Sequence, residues 1–367
     1  MAIRHSNQTI ARRPNSDDVA REAGVSRTTV SYVLNDRPHV TIPEETRERV
    51  WEAVRRLGYL PNHTARALAK GHTGLVSLWV WGERSQGSYH ARVERHMQTV
   101  LEPQPYQMVV NLVGYKTLRL ARKKLLSPWS VDGIIAHEAA PALIAQFGDR
   151  YDADNQAARE MDRPGETVSL PVPVVCTGAY NLLEGTDRVQ IDLRPGATAA
   201  MEHLLGSGRR RIAYLTDDLP NRGGDARHTA YVAGMQGAGR PREFVATEND
   251  SRVCARETVR AYIQAHGCPE ALFCHNDDLA IGAYRGLCDL GFKVPQDCAL
   301  VGCDGIEDTE YLEVPITTIV QPLAEMCSRA WEYLERRIRE PDAPVQITVL
   351  EPKLVIREST ANAVRCT

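Results

Sequence analysis

No apolar run in these 367 residues approaches the roughly 18–20 residues that cross a bilayer as a helix. The amino terminus, MAIRHSNQTIARRPNS, is basic and lacks the apolar centre of a secretion signal, so a cytoplasmic protein with no membrane attachment is expected. The nine cysteines all lie beyond residue 175 and include no CxxC pair, which points to reduced, mostly packed thiols and away from a disulfide framework or a zinc site. GxSxG, a Walker loop, HExxH and GxGxxG after a strand are all missing. No enzymatic activity, cofactor or metal ion is therefore expected. Internal repeats and low-complexity tracts are missing too.

What is present begins with charge asymmetry. Residues 1–72 hold 12 Lys+Arg against 8 Asp+Glu, whereas the rest of the chain holds 32 against 39. That balance favours phosphate contact by the N-terminal part alone. Residues 16–72 also read as a compact series of helices. Ser16 is placed to cap a first helix whose Val19, Ala20 and Ala23 face inward, and Gly24 relieves the turn that follows. Ser26 caps a second helix over Arg27 to about Leu34, with Val30, Val33 and Leu34 inward and Arg27, Thr28, Thr29, Ser31 and Tyr32 outward. Thr41-Ile42-Pro43-Glu44 reads as a capping box, opening a third helix with Val50, Trp51, Val54 and Leu57 as its core stripe and Gly58 as its end. Helices in this order form a module that lays one helix in a DNA major groove. Residues 1–15 hold few apolar side chains and read as a flexible arm, to which Arg12 and Arg13 add positive charge.

From residue 74 the pattern changes to short β-branched runs separated by helical stretches: LVSLWVW, QMVVNLV, VDGIIA, VPVVC, RIAYL, ALFC and CALVG. Such runs imply parallel strands buried between helices, with a ligand site beyond their carboxyl ends. A chain this long suits a small module plus a two-lobed α/β domain.

DVAREAGVSRTTVSYVLN, ETRERVWEAVRRLGYLPN and ARALA closely resemble the N-terminal signature of the LacI/GalR family of transcription regulators. The resemblance continues in VDGIIA (131–136), RRRIAYL (209–215), FCHNDDLAIGAYRGL (273–287), VPQDCALVGCDG (294–305), ITTIVQP (316–322) and LVIREST (354–360). Departures are Arg209 where a His is usual, Leu193 where Asn often stands, and Cys303 where Tyr is usual before Asp. The resemblance implies a helix-turn-helix DNA-binding domain over 16–61, a hinge helix and linker over 62–73, and a periplasmic-binding-protein-like effector domain over 74–367. It also implies three chain crossings, with lobe one at about 74–190 and 322–339 and lobe two at about 191–321 and 340–367.

By the same resemblance Arg27, Thr28 and Tyr32 reach base edges, where Arg forks onto guanine and Thr and Tyr offer hydroxyls. Thr29, Ser31 and Asn35 serve phosphates or support the helix. In the hinge, Asn62 caps the helix, Arg66 meets phosphate, and Leu68 wedges between central base steps of the minor groove. Asn276 and Asp304 match positions that hold small ligands in the family, and Tyr231 stands where a ligand-clamping Arg is usual. Arg227, one turn earlier on the same helix face, is the candidate substitute. Trp81, just past the first strand, is placed to stack on a ligand ring or to pack in the core. FVATEND (244–250) lacks the late aromatic of several sugar-binding members, which leaves a sugar, a nucleobase or another metabolite open.

The expected protein is a homodimeric repressor of a near-palindromic operator in double-stranded DNA, its affinity changed by a small-molecule effector between two lobes. Only ANAVRCT follows LVIREST, too little for a tetramerisation helix. An activator, or a regulator controlled by a partner protein, is the alternative. A transport-type solute-binding protein fits neither the DNA module nor the missing export signal.

Overall fold

The computed structural model describes residues 14–34, 40–59, 72–81, 88–113, 130–147, 170–180, 182–217 and 224–361. Asn35 and the hinge residues Asn62, Arg66 and Leu68 lie outside the described residues, as does the arm up to residue 13. The chain divides into two compact units, Met1–Thr73 and Gly74–Thr367.

In the first unit three helices, α1 (Ser16–Ala23), α2 (Arg27–Leu34) and α3 (Glu44–Leu57), close on Val19, Val30, Val33, Val50 and Val54. The cap of α1 is Asn15 and not Ser16. Its side chain accepts from the N–H groups of Asp17 and Asp18 at 2.9 and 3.0 Å, and Asp18 returns the bond to the Asn15 N–H at 3.0 Å. Capping from Asn15 puts a carboxylate three residues on, whereas capping from Ser16 would put Val19 there. Ser26 accepts from Thr29 N–H at 3.0 Å, as expected. The Thr41–Glu44 capping box does not form: extended Pro43 (ψ 141°) stands at the cap, with no side-chain hydrogen bond to the helix. Trp51 also departs from expectation and is 40% exposed. Val50, Ala53, Val54 and Leu57 form the inward i, i+3, i+4, i+7 stripe, and Trp51 lies about 100° off it.

The second unit carries two six-stranded sheets. Sheet A comprises β1 (Leu75–Trp81), β2 (Gln107–Val113), β3 (Gly133–His137), β4 (Val174–Gly178), β5 (Asp187–Ile191) and β11 (Ile347–Leu350), in the order β11-β5-β4-β3-β1-β2. All its pairings are parallel. Sheet B comprises β6 (Ile212–Thr216), β7 (Glu243–Ala246), β8 (Ala271–Cys274), β9 (Ala299–Asp304), β10 (Thr317–Val320) and β12 (Lys353–Val355), in the order β12-β10-β9-β8-β6-β7. Only β12 runs antiparallel, against β10. Among the described residues seven α-helices accompany the sheets: α4 (Ser88–Leu101), α5 (Ala140–Phe147), α6 (Arg194–Gly206), α7 (Ala226–Gly237), α8 (Arg252–His266), α9 (Asp277–Asp289) and α10 (Leu323–Arg339). Among the described helices none is long and apolar enough to cross a membrane.

The chain crosses between the sheets after β5, β10 and β11. The second stay in lobe one therefore reaches residue 350, beyond the expected 339, because β11 pairs with β5. Asp187, buried at the head of β5, explains the longer return. Its carboxylate accepts from Arg337 Nε at 2.8 Å and Nη2 at 3.0 Å, and from the Gln346 N–H at 2.7 Å. A buried carboxylate must be satisfied, and these donors draw the end of α10 and the start of β11 beside it. Helix α10 covers sheet A with Leu323, Met326, Cys327, Ala330, Trp331 and Leu334, one apolar stripe at helical spacing.

Candidate functional site

The outward face of α2 is the candidate nucleic-acid surface. Arg27 and Thr28 are exposed there, and Thr29 and Tyr32 are half-buried. The Arg27 side chain keeps 70% of its exposure, and its Nε lies 3.8 Å from Asp17, a loose pair that leaves the guanidinium reachable. Thr29 is engaged locally, its hydroxyl 2.9 Å from that of Ser26, which fits helix support.

In the second unit, residues at or just past the carboxyl ends of β4 in sheet A and β9 in sheet B meet residues of the other lobe. From lobe two, α7 begins with Asp225 as its cap and carries Arg227 as its second residue. Both are buried and form a bidentate pair, Nε to Oδ1 at 3.1 Å and Nη2 to Oδ2 at 2.8 Å. Burial alone would raise the Asp225 carboxyl, but the charge of Arg227 overcomes it and holds the group well below the usual carboxylate range. Arg227 Nη1 donates to the His275 carbonyl at 2.9 Å and lies 3.7 Å from Cys303 Sγ. Its Nη2 reaches across to the Tyr180 hydroxyl at the end of β4 in lobe one, at 3.3 Å. The His275 ring bonds the Tyr214 hydroxyl at 2.9 Å through Nδ1, while its Nε2 is 3.9 Å from Asp225.

Asp304 ends β9 with φ at 118°, a backbone region that non-glycine residues rarely adopt and that concentrates at functional sites. Its carboxyl accepts from Gln321 Nε2 at 2.8 Å, and Gln321 Oε1 accepts from the Tyr89 hydroxyl at 3.2 Å. Burial, then the neighbouring Asp277, raises the Asp304 carboxyl well above its ordinary value. Asp277 itself is pushed up to about 7, chiefly by burial. It sits against Gly302, where an added Cβ would come within 2.0 Å of Oδ1, so only glycine allows this approach. Further ties join the lobes: Arg92 of α4 donates to the Asp304 carbonyl at 2.9 Å, and Arg252 of α8 to the Ser88 hydroxyl at 3.0 Å.

The fold thus brings Arg227 and Asp304 together at the ends of lobe two's strands. Tyr231 does not join them. It is fully buried, stacks on Tyr214, accepts from the Glu243 N–H at 2.7 Å and donates to the Ile212 carbonyl at 3.0 Å. Its hydroxyl bridges the starts of β6 and β7, so Tyr231 is a core residue and not a ligand contact. Asn276 caps α9, its Oδ1 accepting from the Leu279 N–H at 2.8 Å. Trp81 ends β1 half-buried and packs against the cluster around Trp79 and Ile134. Sequence reasoning passed over Asp225, His275 and Tyr180. His275 is adjacent to Asn276 within FCHND, and Asp225 carries a cap signal before α7, whereas Tyr180 comes from the other lobe and left no pattern to follow. Sequence reasoning also expected no metal ligands, yet His90, His137 and Glu138 converge in lobe one.

The sequence profile described as bacterial regulatory proteins, lacI family, matches residues 17–62, and the periplasmic binding protein-like domain profile matches residues 201–360. The ribose operon repressor of Haemophilus influenzae is 29% identical over 346 residues, covering 93% of this chain and 97% of that protein. Among solved structures, a LacI-family transcriptional regulator from Silicibacter pomeroyi superimposes with a TM-score of 0.72 at 24% identity, covering 95% of this chain and 99% of the other. The lac repressor dimer, bound to operator and the anti-inducer ONPF, gives a TM-score of 0.70 at 21% identity, again over 95% and 99%. At these identities the two structures speak for the fold alone.

Proposed function

The chain belongs to the LacI family of bacterial regulatory proteins, and from that premise we propose that it is a DNA-binding repressor whose operator affinity is set by a small polar metabolite held between the two lobes. Arg27, Thr28 and Tyr32 read bases, and Thr29 and Asn35 support the helix or meet phosphate. Asn62, Arg66 and Leu68 form the minor-groove element of the hinge. Two copies related by a twofold axis bind a near-palindromic operator.

The observation that carries the effector reading is the meeting of Arg227, Asp304 and Tyr180 at the cleft. All five N–H groups of Arg227 have acceptors nearby, and the longest contacts, to Tyr180 and Cys303, are the ones a ligand oxygen displaces. An Arg fork opposite a carboxyl group brackets hydroxyls or amines, with Trp81 and Asn276 at the rims of the two lobes. A ligand moves the lobes only in proportion to its differential affinity for their arrangements, and the Arg227–Tyr180 contact is one it exchanges.

The test is a thermal-shift screen of the full chain against metabolites, followed by operator titration with each hit. A true effector gives a graded rise in melting temperature and changes operator affinity. Asp304→Asn, which keeps the shape and tolerates the positive φ, removes both responses while the chain still binds operator. A variant that responds at unchanged effector concentration refutes this pocket.

A further inference from the structure

The third strand of lobe one ends in His137, Glu138 follows it directly, and the first turn of α4 lays His90 against them. The two imidazoles stand edge to face with centroids 5.7 Å apart. One ligand atom from each of His90, His137 and Glu138 lies within 4.8 Å of the other two. His137 is fully buried, with its Nδ1 3.1 Å from the Thr177 hydroxyl. Its Nε2 has no hydrogen-bond partner among the described residues. A buried polar nitrogen in that position bears its whole desolvation cost, and such groups call for an explanation.

Glu138 is held in place as deliberately. Its φ of 53° is left-handed, and its Oε1 accepts from the Ala179 N–H at 3.1 Å. The side chain runs where Gly178 has no Cβ, since one there would stand 2.5 Å from Glu138 Cγ. A carboxylate offers about four lone-pair sites, so the bond to Ala179 does not exhaust it.

We propose that His90, His137 and Glu138 bind one divalent transition-metal ion, of the class of Zn2+ or Co2+, on the lobe-one wall of the cleft. Two imidazoles and a carboxylate are the donor set such ions take when a coordination position is kept open. With Nδ1–H donating to Thr177, the lone pair of His137 is on Nε2, and Thr177 is the outer partner that fixes the ring. His90 and Glu138 are half-buried, on the accessible side of buried His137. The Tyr89 ring packs on both imidazoles, with centroids 5.2 and 5.6 Å away, and its hydroxyl donates to Gln321, which in turn donates to Asp304, so the metal wall adjoins the effector residues. The metal site does not rest on the effector reading, because its three ligands all come from lobe one.

The untagged full-length chain, stripped with a chelator, is titrated with Co2+ and followed by visible absorption. One equivalent binds, with d–d bands of a low-symmetry site and no sulfur-to-cobalt charge-transfer band. His90→Ala and Glu138→Gln each weaken Co2+ binding by about tenfold or more, and Thr177→Val weakens it by roughly tenfold with unchanged stoichiometry. Cys288→Ser, at an exposed thiol, leaves it unchanged. His90→Ala decides the matter if changes at buried His137 prevent folding. A thiolate charge-transfer band, several weak equivalents, or full affinity in His90→Ala overturns the assignment.

Discussion

The hydroxyl of Tyr180 in lobe one lies 3.3 Å from Nη2 of Arg227 in lobe two, and the guanidinium carbon stands 5.7 Å from the centre of the tyrosine ring. Tyr180 thus meets, from lobe one, a guanidinium that Asp225 holds at 2.8 Å within lobe two. The buried ion pair of lobe two is therefore tied directly to lobe one.

Removing one partner of that pair strands a buried charge. Arg227→Met is expected to cost about 3–5 kcal/mol of unfolding free energy, because Asp225 stays buried without its cation. Adding Asp225→Asn to the same chain recovers most of the loss. Chemical unfolding of the two variants and the parent measures both numbers, and an additive double variant contradicts the coupling.

The Asp277 carboxyl gives a pH dependence of defined sign. It is raised to about 7 in the folded chain, chiefly by burial. An unfolded Asp titrates near 4, so between about pH 4 and 7 the native state alone holds the proton. Stability falls as pH rises through that window, by at most about 1.4 kcal/mol per pH unit for this group. Asp277→Asn imitates the protonated form, its amide oxygen accepting from Ile306 N–H and its amide nitrogen donating to Thr318. The variant is expected to show a shallower decline and greater stability above pH 7, read by unfolding at a series of pH values.

Tyr231→Phe separates core from site. It deprives the Glu243 N–H and the Ile212 carbonyl of their partner and is expected to cost about 1–3 kcal/mol. The ligand-induced rise in melting temperature is unchanged in this variant. A changed ligand response returns Tyr231 to the pocket.

What the sequence made legible follows from burial. The strands β1, β3, β4, β6, β8 and β9 are buried almost throughout and appear as unbroken apolar runs. β5 alternates as Asp-Arg-Val-Gln-Ile, and β11, at the edge, leaves Ile347 and Val349 exposed, so neither stands out by composition. That is why the last return to lobe one was placed too short. Asp304 is reachable from its place in GCDG, and Arg227 only by helical spacing from Tyr231. Tyr180, Glu138 and His90 meet their neighbours only once distant strands and α4 are assembled, and no spacing along the chain records that. Trp51 shows the opposite error: a large apolar residue was assigned inward when small Ala53 takes the inward position.

On DNA, Arg27→Ala is expected to cost about 1–3 kcal/mol on the cognate operator and much less on random sequence, relaxing preference at the contacted base pair. Its side chain, 70% exposed, is loosely held by Asp17 and has little intramolecular work to lose. Equal losses on both DNAs would assign it to phosphate. Binding titrations at one fixed salt concentration make the comparison.

The threading of sheet A sets an order for biosynthesis. A nascent chain that has emerged only to residue 322 contains five of the sheet's six strands and nothing of α10, whose Leu323, Met326, Trp331 and Leu334 cover them. Ile135, Val175 and Val189 therefore wait without that cover while the whole of the second lobe through β10 is translated. The lobe begun first is finished near last, and the interval is when this chain most needs a chaperone's shelter.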